Sequence, residues 1–180
     1  RAVGHDAEGH LSVSVLRRPH TRISRSRRGD FRFSIPDHER IVVRGLPDRL
    51  KELLETDDPA LARLFPPAYP DDEKLDEEYR RLVRDDLVAG RMTAAEIMAS
   101  TIDASRLDEE QMLAWLGALN DLRLILGTKL DVTEDLDPDD IPDWDPRAST
   151  YALYSYLGWL QEQAVEALSS GMDPPKPASL

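Results

Sequence analysis

Histidine is the side chain best placed for proton transfer or metal ligation near neutral pH, and this chain has four, at positions 5, 10, 20 and 38. None follows a glutamate by three residues, so the paired Glu-x-x-His elements of a carboxylate-bridged di-iron site cannot be assembled. A serine nucleophile would have to borrow His38 or one of the N-terminal histidines, and no nucleophile elbow or glycine-rich phosphate loop accompanies it. The adjacent acids Glu77–Glu78 and Asp85–Asp86 offer acid-base chemistry, yet neighbouring carboxylates on a helix read as a solvated face. The acidic run DVTEDLDPDDIPDWDPR, residues 131–147, presents oxygen ligands to a hard cation. Counted from Asp131, however, its sixth position is Leu136 where a calcium loop needs glycine, and its twelfth is Pro142 where it needs a bidentate glutamate. With no cysteine in the chain, there is no thiolate metal site, no disulfide and no thiol switch. The residue types therefore predict a non-enzymatic protein, with no catalytic group, no cofactor and no metal.

The elements that carry these residues are helical. At 180 residues the chain suits one domain with a real core. Leu107 to Leu130 places Met112, Trp115, Leu116, Leu119, Leu122, Leu126 and Leu130 on one face, and this helix is the expected axis of the fold. Arg123 falls within that face and calls for a carboxylate. A helix over 71–100 puts Leu75, Tyr79, Leu82 and Ile97 inward with Asp86 among them, so Asp86 and Arg123 are predicted to form an interior ion pair. Ile41 to Leu54 gives a further helix broken near Gly45 and Pro47. A last helix over 149–169 turns Leu153, Tyr154, Leu157, Leu160, Ala164, Val165 and Leu168 inward. That leaves Tyr151, Tyr156 and Trp159 pointing away as protein-interaction candidates.

The expected architecture is all-α, a helical bundle of four or five helices with a long acidic loop before the last one. Residues 30–170 form the single domain, 1–29 a basic, disordered arm, and 171–180 a disordered tail. The arm holds seven arginines against Asp6 and Glu8, a local +5 within a net charge of −12, which leaves −17 on the rest. So acidic a body repels phosphate backbones. Direct nucleic-acid binding then falls to Arg17, Arg18, Arg22, Arg25, Arg27 and Arg28. No apolar run approaches a membrane span, and the composition predicts a soluble, cytoplasmic protein.

Two strings are distinctive: RLFPPAYPDDEKLDEEYRRLVRDDL, residues 63–87, and WLGALNDLRLILGTKLDV, residues 115–132. With the closing YLGWLQEQAVEAL, they resemble an actinobacterial domain-of-unknown-function family that includes oxidative-stress transcriptional regulators of the AosR type. Asp86, Asn120, Asp121 and Arg123 match its motif positions. The resemblance implies a helical regulator of transcription acting mainly through protein contacts, with the transcription machinery or a protease-associated adaptor as partner. The thiol switch it implies for that regulator type has no cysteine here to perform it. The other reading is a protein-interaction adaptor or homodimerisation module that binds no nucleic acid and uses the last helix.

Overall fold

The computed structural model describes residues 21–133, 141, 142 and 144–170. In chain order it contains strands β1 (Ile23–Arg25) and β2 (Phe31–Phe33), helices α1 (Asp37–Arg44) and α2 (Leu46–Leu54), and a 3-10 turn (Pro59–Arg63). Helix α3 (Glu73–Ser100), strand β3 (Arg106–Leu107), helix α4 (Glu109–Lys129) and helix α5 (Ala148–Ser169) follow. The fold is mostly helical, but the all-α expectation is corrected by a three-stranded antiparallel sheet of order β1-β2-β3. Alternation explains it: Ile23, Phe31, Phe33 and Leu107 turn into the core, while Ser24, Arg32 and Arg106 face out. Strands of two or three residues whose third member lies beyond α3 leave too short a pattern to separate from an extended lead-in. The same finding corrects the arm. Residues 21–29 form β1 and the start of its hairpin turn, where Gly29 adopts φ 92°; residues 1–20, including Arg17 and Arg18, lie outside the described residues.

Helix α4 is the axis, packed against α3, α5, α2 and the 3-10 turn. Asp108 and Gln111 close a capping box at its start. Met112, Trp115, Ala118, Leu119, Leu122 and Ile125 form its buried stripe. Trp115 joins sheet to bundle, its ring 4.7 Å edge-on from Phe33 and its indole N–H donating to Thr101 Oγ1 at 2.7 Å. At the other end Asp131 enters the left-handed region at φ 52°, and the N–H of Val132 returns to the carbonyl of Gly127 at 2.9 Å, as in a glycine-type helix stop.

Helix α3 carries two apolar stripes on different sides. Val88, Met92, Ala95 and Met98 pack on the core, whereas Leu75, Tyr79 and Leu82 are 42, 40 and 72 % exposed. At 100° per residue the two stripes lie roughly 165° apart. Asp86 shares the outward stripe and is exposed. The predicted Asp86–Arg123 ion pair is therefore corrected, because a side chain on the outer face of α3 cannot meet one from α4. The carboxylate and guanidinium that do join these helices are the reverse pair, Arg91 of α3 with Asp121 of α4; Arg91 also donates to the carbonyl of Leu64 at 2.9 Å. Burial pushes the Asp121 carboxyl above its ordinary range even though Arg91 pulls it down.

Arg123 turns toward α5, its guanidinium 5.2 Å above the Tyr154 ring. It lies against Gly158, where an added Cβ would sit 3.2 Å from Nε. The arrangement is reciprocal, since the Tyr154 ring lies 3.3 Å from where a Cβ on Gly127 of α4 would be. Each helix thus sets one large planar group into a glycine notch of the other.

Candidate functional site

Two clusters of polar side chains stand out, one inside the fold and one on the sheet's outer face. The inner cluster fastens β1 to α1 and α5. Glu39 of α1 is 2 % exposed, and its carboxylate accepts from Arg22 Nε at 2.9 Å, Arg22 Nη2 at 2.8 Å and the Tyr156 hydroxyl at 2.8 Å. Burial acts to raise this carboxyl, and the hydrogen bonds and charge of Arg22 with the Tyr156 hydroxyl outweigh it, holding it below the usual range. Burial and the neighbouring carboxylate push the Tyr156 phenol well above its usual value, so it stays a neutral donor. From α5, Gln163 Oε1 accepts the backbone N–H of Arg22 at 2.5 Å and of Ile23 at 3.3 Å. An edge strand whose amides are taken this way is closed to further pairing along that stretch.

This cluster corrects several sequence readings. Arg22, expected to reach nucleic acid, is buried in an ion pair. Tyr151 and Tyr156, expected on an outward aromatic face, are 3 and 2 % exposed. Tyr151 donates its hydroxyl to the carbonyl of Leu130 at 3.2 Å, and Trp159 is half-buried, 5.8 Å from the Tyr156 ring. Helix α5 is apolar over most of its circumference, so the buried side, centred on Tyr156, Leu160 and Gln163, lies roughly 100° from the stripe that hydrophobicity alone selects. Gln161 donates from Nε2 to Asn120 Oδ1 at 3.3 Å. The motif residues Asn120, Asp121 and Arg123 are thus all spent on holding α4 to its neighbours.

The outer cluster is built from the strand residues that alternate away from the core. Ser24, Arg32 and Arg106 stand side by side across the three strands, with Ser24 paired to Arg32 and Arg32 to Arg106 in register. Arg25, Ser26, Arg27 and Arg28 of the hairpin complete a concavity of about 420 Å³. Like charges directly opposite on adjacent strands cost stability unless something neutralises them. Asp30 does so for Arg106, at 2.6 Å; hydrogen bonds from Ser26 and then Arg106 hold its carboxyl below the usual range. Arg25 leans over the Phe31 ring at 5.3 Å, donates to the carbonyl of Leu168 at 3.3 Å, and lies 3.8 Å from Glu109. Arg27, Arg28 and Arg32 are exposed, and no ion pair engages them among the described residues. Fork-shaped donors converging on one hollow suit carboxylates or phosphates.

Of the nucleic-acid candidates, the structure gathers Arg25, Arg27 and Arg28, removes Arg22, and adds Arg32 and Arg106. The FRF alternation signals that Arg32 faces out. Nothing local in the sequence brings Arg106 beside it, because that depends on α3 returning the chain to the sheet. Among the described residues no group of three His, Asp or Glu side chains is placed to hold a metal, and no helix is long and apolar enough to cross a membrane.

The model of a family described as a domain of unknown function, DUF2017, matches residues 20–168. Among curated proteins, one named as an oxidative stress regulator, AosR, from Mycobacterium leprae is 32 % identical, the match covering 62 % of this chain and 59 % of that protein. The oxidative stress regulator AosR of Mycobacterium tuberculosis is likewise 32 % identical, with 62 and 58 % covered. The chain thus spans about three fifths of the length of these relatives. No solved structure matches it.

Proposed function

The chain belongs to the DUF2017 family, and from that membership we propose that it is a non-enzymatic regulatory protein of transcription, of the oxidative-stress type, that works mainly by protein contact through its arginine-lined sheet face. The likeness to proteins named as oxidative stress regulators supports the regulatory role. The observation that carries the mode of action is the hollow itself: Arg27, Arg28 and Arg32 are exposed on a body that is otherwise strongly acidic. Asp30 and Glu109 sit among the arginines. Fixed acids there repel a continuous phosphate backbone, whereas a short acidic protein segment can offer carboxylates to the free guanidiniums and keep clear of both. The partner is then an acidic surface of the transcription machinery.

The test is retention of purified RNA polymerase on the immobilised chain, compared with an R27E/R28E/R32E variant. Retention that is lost in the variant and falls with salt is expected. Equal retention by both proteins, or tight binding of duplex DNA by the wild-type chain at physiological salt, overturns this reading.

A further inference from the structure

The outward stripe of α3 is an apolar feature that the described residues leave exposed. Leu75, Tyr79 and Leu82 recur at i, i+4 and i+7, and Leu82 at 72 % exposure touches little of its own chain. The Tyr79 ring meets Tyr69 edge-on, at 5.7 Å. Beside this stripe runs a row of exposed charges, Lys74, Glu78, Arg81 and Asp85. None of the four forms an ion pair among the described residues.

That row decides what covers the stripe. Its signs alternate, plus, minus, plus, minus, at spacings of four, three and four residues. A second copy of α3 laid parallel about a two-fold axis carries its row to the opposite edge of the contact, where the two rows do not meet. Laid antiparallel, it sets Lys74 opposite Asp85 and Glu78 opposite Arg81, each pair occurring twice about a two-fold axis. Reversal about the same centre, between residues 79 and 80, brings Tyr79 of the two copies together and sets Leu82 of one copy ~3 Å along the axis from Tyr79 of the other. We infer that the chain forms a two-fold symmetric homodimer through the N-terminal half of α3, packed antiparallel. The occupant is a second copy because the charged row beside the stripe complements itself when two copies meet antiparallel.

The inference is independent of the function proposed above, since the arginine hollow is built from other elements. Sedimentation equilibrium of the full chain should show a reversible monomer–dimer equilibrium. Either Glu78→Arg or Arg81→Glu alone turns both symmetric pairs into like charges and should weaken the dimer at least about tenfold. The double variant E78R/R81E exchanges the two signs and should restore it to within about threefold. Leu82→Glu should leave monomer. All three positions are exposed, and unchanged circular dichroism confirms that each variant folds. A wild-type chain that stays monomeric at every concentration, or a double variant no better than the singles, overturns the inference.

Discussion

Replacing Glu39 by glutamine tests the inner cluster most directly. The change keeps shape and removes one charge. Glu39 is 2 % exposed and accepts three hydrogen bonds, two of them from Arg22. Without the carboxylate the buried Arg22 guanidinium loses the charged acceptor of two of its hydrogen bonds, and breaking one side of such a pair typically costs ~3–5 kcal/mol. For a domain of this size that corresponds to a fall in melting temperature of roughly 6–20 °C. Tyr156→Phe removes only the hydroxyl that donates to the same carboxylate, and the loss expected for a bond to a charged acceptor is ~1.5–3 kcal/mol. Because the ion pair's attraction is largely spent on desolvation, the double variant R22M/E39M should be more stable than E39Q. Urea unfolding followed by circular dichroism at 222 nm gives these values, and the single variants R22M and E39M complete a double-mutant cycle with R22M/E39M. A cost below about 1 kcal/mol for E39Q, or a double variant whose loss is the sum of the two single ones, would refute the argument that the pair acts as a unit.

The remaining predictions concern one helix end and acid. Asp131 holds a positive φ that favours glycine, so Asp131→Gly should raise stability by ~0.5–1 kcal/mol, read as a higher urea midpoint. Glu39, whose folded carboxyl lies below its ordinary value of 4.5, contributes stability that is complete above that value and is lost as pH falls through the folded pKa. The gap in urea midpoint between wild type and E39Q should therefore narrow from pH 7 to pH 3; a constant gap would contradict the assignment. Asp121 works in the opposite sense, since burial raises its folded carboxyl: its contribution grows more favourable as pH falls through the folded value. Asp121→Asn should consequently steepen the wild-type loss of stability in acid.

How far the sequence carried the structure depended on how much of each helix's surface was apolar. Helix α4 has a stripe that stayed buried at Met112, Trp115, Leu119 and Leu122, so it was legible as the axis. Helix α3 offered two stripes, and periodicity alone ranks Leu75, Tyr79 and Leu82 beside Met92 and Met98 without saying which the bundle covers. That ambiguity sent Asp86 inward and hid Arg91, the partner of Asp121. In α5 the excess of apolar residues concealed the face that Gln163 and Tyr156 share, because two hydrogen-bonding side chains inside a helix-packed core are chosen by the strand beside them. The arginines of the hairpin were visible as a basic stretch. Their assembly with Arg32 and Arg106 depended on strand pairing across the length of α3, which no window of local sequence contains.

The crossed notches between α4 and α5 have a mechanical consequence. With Arg123 set over Gly158 and Tyr154 over Gly127, neither rod can slide along the other by one step without lifting both flat groups out of their seats at once. Sliding of one helix along the other is therefore costly, and a joint tilt is the cheaper movement.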